Sequence, residues 1–182
     1  MSVLTTDQKG IVAETNIAAV ALAEGVGVAK PLGDERYDLI FDLGERLLRI
    51  QCKWAVREDD VVIIRCRRIR RGRHGFIRRQ YLPTEIDAIV GYCAQTERCY
   101  YLPQHMSVER AAVALRLAPT LNNQARGINW AQDFELGATL RSLRGPIAQL
   151  GERQRGTLEA AGSSPAGSIG KPPPGRLSLF EV

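Results

Sequence analysis

Four polar side chains in the first third of the chain are of the types that hydrolyse phosphodiester bonds: Glu14, Asp38, Gln51 and Lys53. Carboxylate and amide oxygens hold hard divalent cations, and a lysine can orient or polarise the attacking water and offset phosphate charge. Lys53 stands in an apolar run, where an unpaired ammonium is costly. Spacing alone leaves a structural alternative open, in which Lys53 is a strand-edge lysine paired with Asp38 or Asp42.

A hairpin predicted over residues 37–53 brings three of these groups together. Gly44 and Glu45 form a two-residue loop of the type that favours glycine first, so facing residues have numbers that sum to 89. Asp38 then lies opposite Gln51, with Lys53 one diagonal step away. A one-residue slip would move one partner to the other face. The opposite face is predicted to be apolar: Tyr37, Leu39, Phe41, Leu43, Leu48, Ile50 and Cys52.

Glu14 belongs to a helix predicted over residues 6–24. Thr5 and Gln8 have the spacing of a capping box, and Gly25 ends the apolar period. On a 3.6-residue repeat we expect Glu14 on the inward face, and the alternative is a half-exposed position at its edge. The neighbours expected on that face are Gly10, Ile11, Ile17, Ala18 and Ala21.

The remaining patterns predict a mixed α/β fold. A third strand runs into an arginine-rich ribbon that reverses near residues 72–75, and a short helical turn is expected over 83–88. Two short strands follow within residues 88–103. We then expect a helix that begins at Ser107 and stops before Pro119. The predicted order is helix, three strands, short helix and further strands.

The ribbon concentrates the positive charge of the chain. The net charge is +5, yet residues 65–79 hold eight arginines in fifteen positions. This density indicates a polyanion partner, and a two-stranded ribbon fits the major groove of DNA. The alternative is a solvated hairpin. The expected phosphate or guanine contacts are Arg65, Arg67, Arg68, Arg70, Arg71, Arg73, Arg78 and Arg79, and the expected adenine contacts are Asn122, Asn123 and Gln124.

Composition argues against several other classes of protein. The four cysteines, Cys52, Cys66, Cys93 and Cys99, lack zinc-ligand spacing, so we expect packed, reduced thiols. No apolar run approaches the length of a membrane span, and the N-terminus lacks a signal-peptide pattern. We therefore expect a cytoplasmic protein that does not insert into membranes, with one main domain.

The motif stretch DLIFDLGERLLRIQCK resembles the core of the PD-(D/E)XK nucleases, which have a restriction-endonuclease-like fold. The stretches around residues 8–42, 85–103 and 115–135 are similar to the branch that contains group I intron-encoded homing endonucleases. The resemblance spans about residues 7–136 and matches Glu14, Asp38, Gln51 and Lys53 to the motif positions. Two departures stand out: Tyr37 replaces the proline of the motif, and Gln51 replaces its second acid.

This resemblance implies a Mg²⁺-dependent endonuclease, with Mn²⁺ as a substitute ion, that cleaves double-stranded DNA. The glutamine removes one negative charge, so weaker metal binding is expected. A homo-oligomer, dimer or tetramer, is expected because two strands need two active sites. Two rivals remain open: a catalytically lapsed DNA-binding protein of the same fold, and a Holliday-junction resolvase.

The predicted catalytic domain covers residues 1–144, and residues 145–182 are expected to be a disordered tail because they lack an apolar period. Residues 145–169 can be encoded by a nucleotide string whose four stems pair in cloverleaf order, with the Gly156 codon at the anticodon place. One interpretation is therefore a reading frame that runs into a neighbouring tRNA gene, which suits a mobile element. The other is an ordinary linker.

Overall fold

A computed structural model of the protein describes residues 4–73, 75–119 and 126–145. The chain divides into two units after Gly145. The predicted tail, with its tRNA-like stretch, lies outside the described residues. The boundary predicted after residue 144 stays a prediction.

The first helix, α1 (Thr6–Ala23), begins as its sequence predicts. Thr5 and Gln8 form the reciprocal capping box. The buried stripe consists of Ala13, Ile17 and Ala21. The expectation for Ile11 was wrong: its side chain is 63% exposed. Ile17 and Ala21 of the predicted face are buried, and Ala13 rather than Ile11 completes the buried stripe.

In the described part of the chain, nine strands follow the helix. They are β1 (Gly27–Ala29), β2 (Leu39–Asp42), β3 (Leu47–Glu58), β4 (Val61–Arg65), β5 (Arg67–Gly72), β6 (Gly75–Gln80), β7 (Ala88–Cys93), β8 (Arg98–Pro103) and β9 (Ala112–Arg116). Seven of them form a mixed sheet in which β3 is central: it pairs antiparallel with β2 and β4 and parallel with β7. The α/β restriction-endonuclease-like architecture, a helix followed by a mixed sheet with flanking helices, is confirmed.

Strands β7 and β8 separate two hydrophobic clusters. Val90 and Tyr101 face a cluster that contains the buried residues of α1, whereas Ile89 and Leu102 face a cluster built with β4 and β9. This alternation explains why β7 is buried along its whole length. Helix α1 therefore packs on one face of β7 and β8, and the cluster of β4 and β9 packs on the other.

The predicted hairpin register is confirmed. Leu39 pairs with Ile50 and Asp42 pairs with Leu47, so facing numbers sum to 89. Gly44 turns the chain with φ +95°, which a residue with a side chain rarely adopts, and the Asp42 carboxylate accepts the Gly44 N–H at 2.8 Å. Tyr37 departs from the predicted face because it packs against the cluster of β4 and β9.

The arginine-rich ribbon is also confirmed as a two-stranded sheet. Strands β5 and β6 pair antiparallel, and Gly72 faces Gly75 at the reversal. Among the described strands, neither pairs with the seven-stranded sheet.

One helix was predicted wrongly. Residues 107–119 contain strand β9, preceded by the short helix α2 (Gln104–Ser107), because Val113 and Leu115 alternate inward and β9 pairs with β4. The short helical turn predicted over residues 83–88 is present as a single turn, in which Leu82 O accepts the N–H groups of Glu85 and Ile86.

The end of the described chain contains helical structure that the sequence reading missed. A 3₁₀ helix (Ala131–Phe134) leads into α3 (Leu136–Arg144), whose Leu136 and Leu140 are buried against the cluster of α1. Arg144 donates to the Glu24 carbonyl at 2.6 Å and so ties α3 to the end of α1.

Two expectations on composition can be compared with this fold. All four cysteines are free and buried, as predicted. Within the described ranges, no helix is long and apolar enough to cross a membrane.

Candidate active site

An open edge of β3 forms the candidate site. The pairing with β2 ends at Ile50 and the pairing with β4 begins at Val56, so residues 51–55 pair with β7 and with no other described strand. A free strand edge leaves backbone donors available for side chains. We call residues 51–55 of β3 the open edge.

Asp38 fills the start of the open edge. Its N–H donates to Ile50 O at 2.9 Å, which continues the hairpin pairing by one residue. Its Oδ2 accepts the Cys52 N–H at 2.7 Å and the side-chain amide of Gln51. The carboxylate is therefore held by β3 from two sides, as the predicted pairing of Asp38 with Gln51 requires.

The Gln51 side chain is nearly buried. The residue is 9% exposed, and its Nε2 also donates to Cys52 O at 3.3 Å. The oxygen and nitrogen of an amide are similar in size, so a half-turn of the amide group places its carbonyl oxygen beside Asp38 instead. Gln51 can thus either donate to Asp38 or help it to bind a cation.

Lys53 is held on the side of the sheet that β4 and β9 cover. Its Nζ donates to the Tyr81 hydroxyl at 2.8 Å and lies 5.1 Å from the centroid of the Tyr81 ring. Its charge also acts on Asp38, whose pKa it lowers. The ammonium in the apolar run therefore has a polar partner and a neighbouring carboxylate.

Glu14 reaches the site from the helix side of the sheet. Its side chain is 24% exposed, so the alternative of an edge position describes it better than an inward one. Lys30 Nζ lies 2.6 Å from Glu14 Oε2, and this hydrogen bond raises the pKa of Lys30. Both groups act electrostatically on Asp38, so the four predicted side chains share one region.

Burial makes the charged form of the Asp38 carboxylate unfavourable. Burial raises the pKa of Asp38, and the nearby Glu14 carboxylate raises it further. The Cys52 N–H, Lys53 and Lys30 lower that pKa without cancelling the increase. A bound cation would offset the cost of keeping this carboxylate charged.

The donor set fits a hard divalent cation with oxygen ligands. Asp38 and Glu14 provide carboxylates and Gln51 provides an amide oxygen. Within residues 4–73, 75–119 and 126–145, no group of three or more His, Cys, Asp or Glu side chains is placed to hold a metal. Gln51, which replaces the second acid of the motif, is not one of these four residue types.

The structure describes the side chains of some predicted DNA contacts, only the backbone of others, and none of the rest. Arg65, Arg73 and Arg79 are exposed, and Arg67 is partly buried. Backbone pairing puts Arg68, Arg70, Arg71 and Arg78 on the ribbon. The three amides predicted to contact adenine, Asn122, Asn123 and Gln124, lie outside the described residues.

Sequence reasoning missed Tyr81 and Lys30. Tyr81 directly follows the ribbon, and Lys30 directly follows β1. Neither has a periodic pattern that could have signalled its position, because both stand where the chain leaves a strand. Only the folded chain places them beside Lys53 and Glu14.

Comparisons with known proteins identify the family of this chain. A search of curated proteins finds no match. Among solved structures, the chain is similar to the bacterial homing endonuclease I-Ssp6803I, with a TM-score of 0.62 and 27% sequence identity, over 84% of this chain and 99% of that chain. The family model described as PD-(D/E)XK endonuclease matches residues 4–137. The chain therefore belongs to the PD-(D/E)XK endonuclease family.

Proposed function

We propose that this chain is a divalent-metal-dependent endonuclease that hydrolyses double-stranded DNA at the open edge of β3. The observation that carries the proposal is the anchored Asp38, which accepts both the Cys52 N–H and the Gln51 amide beside Lys53. An anchored, half-buried carboxylate next to a lysine suits phosphodiester hydrolysis because both groups act on charge that develops at the phosphate.

Each side chain has a distinct role in this proposal. Asp38, Glu14 directly or through water, and the Gln51 carbonyl hold Mg²⁺, for which Mn²⁺ can substitute. A bound divalent ion supplies Lewis-acid activation of the phosphate and the attacking water. Lys53 positions that water and stabilises negative charge on the phosphate. The hairpin register fixes the position of Lys53 on β3. Electrostatic stabilisation of the transition state by one such group typically raises the reaction rate about 10²–10³-fold.

The ribbon supplies affinity for DNA. Several arginines on β5 and β6 contact phosphates and release counterions, which gives binding that falls as salt rises. Arginine contacts to guanine and amide contacts from residues 122–124 to adenine are the proposed base readout. The sheet-like ribbon supports this role because its width suits the major groove.

A homo-oligomer is proposed because two DNA strands require two active sites. The outer face of α1 supports self-association, since Ile11 and Leu22 expose 63% and 58% of their surface. Whether the assembly is a dimer or a tetramer is decided by its mass in sedimentation equilibrium.

A homing role within a mobile element is the specific form of this proposal. The similarity to a bacterial homing endonuclease supports it. The rival resolvase function predicts preference for four-way junctions over duplex in a competition assay. The cytoplasmic location stays a prediction.

Metal-dependent nicking of a supercoiled plasmid tests the proposed activity. We expect nicking with Mg²⁺ or Mn²⁺, none with excess EDTA, and recovery when Mg²⁺ is restored. The Asp133→Ala variant is a matched control because Asp133 is exposed on the 3₁₀ helix, and it should keep full activity. Tight DNA binding without metal-dependent nicking would favour the lapsed DNA-binding protein instead.

A further inference from the structure

Tyr81 connects the ribbon to the candidate site. It is the first residue after β6, so the ribbon ends one residue before it. Its hydroxyl accepts the Lys53 Nζ at 2.8 Å, and its ring lies beneath the same ammonium. Tyr81 is 6% exposed and packs in the cluster of β4 and β9. A buried ring has little freedom, so it can hold the lysine in one position.

A single carboxylate contacts the residues on both sides of Tyr81, the side chain of Arg79 and the backbone of Leu82. Glu85 Oε2 accepts the Leu82 N–H at 3.0 Å, and Glu85 Oε1 lies 3.2 Å from the Arg79 guanidinium. The Glu85 side chain is only 15% exposed, so these contacts are partly shielded from water. Residues 79 and 82 are therefore tied to one group, with Tyr81 between them.

The Glu85 carboxylate also contacts the segment that leads to Asp38, just before β2. Arg36 Nε lies 3.4 Å from Glu85 Oε1, and Arg36 stands two residues before Asp38. The segment that contains Glu85 is itself anchored to β3, because Arg49 bonds the Asp87 carboxylate and the Thr84 carbonyl. The base of the ribbon, Tyr81 and the strand of Asp38 thus share one network.

We propose that Tyr81 is a positioning residue for Lys53 and that Glu85 fixes Tyr81 relative to the ribbon. The inference rests on the proposed function, in which Lys53 acts on the scissile phosphate. DNA held by the ribbon then meets the Lys53 amine at a set distance from the ribbon base. The positioning acts on the chemical step and leaves the phosphate contacts of the ribbon unchanged.

Tyr81→Phe tests the first half of the proposal. The substitution keeps the ring and removes the hydroxyl that accepts from Lys53, so we expect the single-turnover cleavage rate to fall about tenfold. The dissociation constant for DNA, measured without divalent metal, should not change. Tyr81→Leu, which removes the ring as well, should lower the rate further.

Tyr100→Phe is the matched control. Tyr100 is buried in the same cluster, but its hydroxyl bonds Thr96 at 3.2 Å. Its loss should lower the melting temperature about as much as Tyr81→Phe and leave the cleavage rate unchanged. Equal rate losses in the two variants would show that Tyr81 is only a packing residue and would overturn the proposal.

Glu85→Gln tests the second half, with Glu135→Gln as its control because Glu135 pairs with Arg98 at 2.5 Å on a different part of the sheet. We expect a several-fold slower single turnover for Glu85→Gln alone. Lys53→Ala distinguishes a failure of the proposed function from a failure of the positioning proposal. If Lys53→Ala cleaves at the wild-type rate, the proposed function fails. If it is inactive while Tyr81→Phe and Glu85→Gln keep the wild-type rate, the positioning proposal alone fails.

Discussion

The candidate site and the arginine ribbon are neighbours in sequence but are built by opposite means. At the open edge of β3, Asp38 is anchored by a backbone N–H and an amide, and Gln51 is almost buried. The ribbon pairs only with itself among the described strands, and its exposed arginines include Arg73 and Arg79. Chemistry at one phosphate requires fixed positions, whereas affinity for a charged backbone requires only charge density.

This difference predicts that the two regions fail separately. Changes at the open edge should stop the reaction and spare binding. Changes on the ribbon should weaken binding and alter its salt dependence, while the reaction of bound DNA continues.

The largest effect is expected from Asp38→Ala and Lys53→Ala. Each should lower the single-turnover cleavage rate by at least about 10²–10³, because each removes a group that acts directly on charge at the phosphate. Filter binding without divalent metal should give wild-type affinity, since neither residue lies on the ribbon. Wild-type cleavage by Lys53→Ala would restore the structural explanation of this lysine.

The converse experiment replaces Arg70, Arg71 and Arg73 with alanine. Each phosphate contact contributes roughly 0.9 to the slope of log affinity against log salt, so the triple variant should flatten that slope by up to about 3. At saturating protein, its single-turnover rate should remain close to that of the wild type. Arg57 and Arg98, which pair with Asp60 and Glu135, provide control substitutions to alanine. An unchanged slope would place the DNA on another surface.

The sequence predicted the hairpin well because several local signals agreed. Apolar and polar residues alternate over residues 39–52, and a glycine stands at the turn. Both signals favour the same pairing, and the structure has that register. Once that register is known, Asp38 and Gln51 must face each other. The ribbon was equally readable, since its glycines mark the reversal between two arginine-rich strands.

The segment after residue 103 was predicted less well for a physical reason. Residues 111–116 combine good helix formers with alternating Val113 and Leu115, and the pairing with β4 decides for the strand. Helix α3 had a readable signal in Leu136, Leu140 and Leu143, which was overlooked beside the polar tail. Tyr81 could not have been found, because its contact with Lys53 joins residues 28 positions apart.

Gln51→Glu sharpens the comparison within the site. The variant restores a second acid on β3, so it should lower the Mg²⁺ concentration required for half-maximal cleavage if the Gln51 side chain is a ligand. Its DNA affinity without metal should fall only slightly, since Gln51 does not lie on the ribbon that supplies the proposed phosphate contacts. Gln95→Glu adds the same charge on an exposed turn and should leave the Mg²⁺ requirement unchanged. A Mg²⁺ requirement that does not move for Gln51→Glu would exclude this side chain as a ligand.

Asp87→Asn tests the ion pair between Arg49 and Asp87, which ties β3 to the segment before β7. Burial alone would raise the pKa of Asp87, but hydrogen bonds and charge from Arg49 outweigh it and lower that pKa. The free energy of unfolding should fall by about 1 kcal/mol at neutral pH, a value kept small because both partners are about one third exposed.

The pH dependence of this loss follows from the direction of the shift. A carboxylate with a lowered pKa in the folded state stabilises the protein above its ordinary pKa of about 4, and that stabilisation disappears as pH falls through the lowered value. The difference between the wild type and Asp87→Asn, measured by urea unfolding, should therefore be full above the ordinary carboxylate pKa and shrink as the pH is lowered below it. A difference that stays constant with pH would mean that Asp87 acts through packing rather than charge.

The smallest effect is expected from a chain that stops after Arg144. Helix α3 would keep its buried Leu136 and Leu140, and Arg144 would keep its bond to the Glu24 carbonyl. The removed residues hold four basic and three acidic side chains, so they add little to the attraction of DNA. The melting temperature, DNA affinity and cleavage rate should all stay close to wild type.

A chain that stops after Glu135 is the contrasting control, because it removes α3 and exposes the cluster of α1. It should melt several degrees lower or fail to fold. If the chain that stops after Arg144 behaved in the same way, the domain boundary predicted at this residue would be wrong. If it folded but bound DNA much more weakly, the tail would be a second binding region, and affinity could no longer be assigned to the ribbon alone. Genomic codons that break the four predicted stems would separately rule out the tRNA origin, without changing either result.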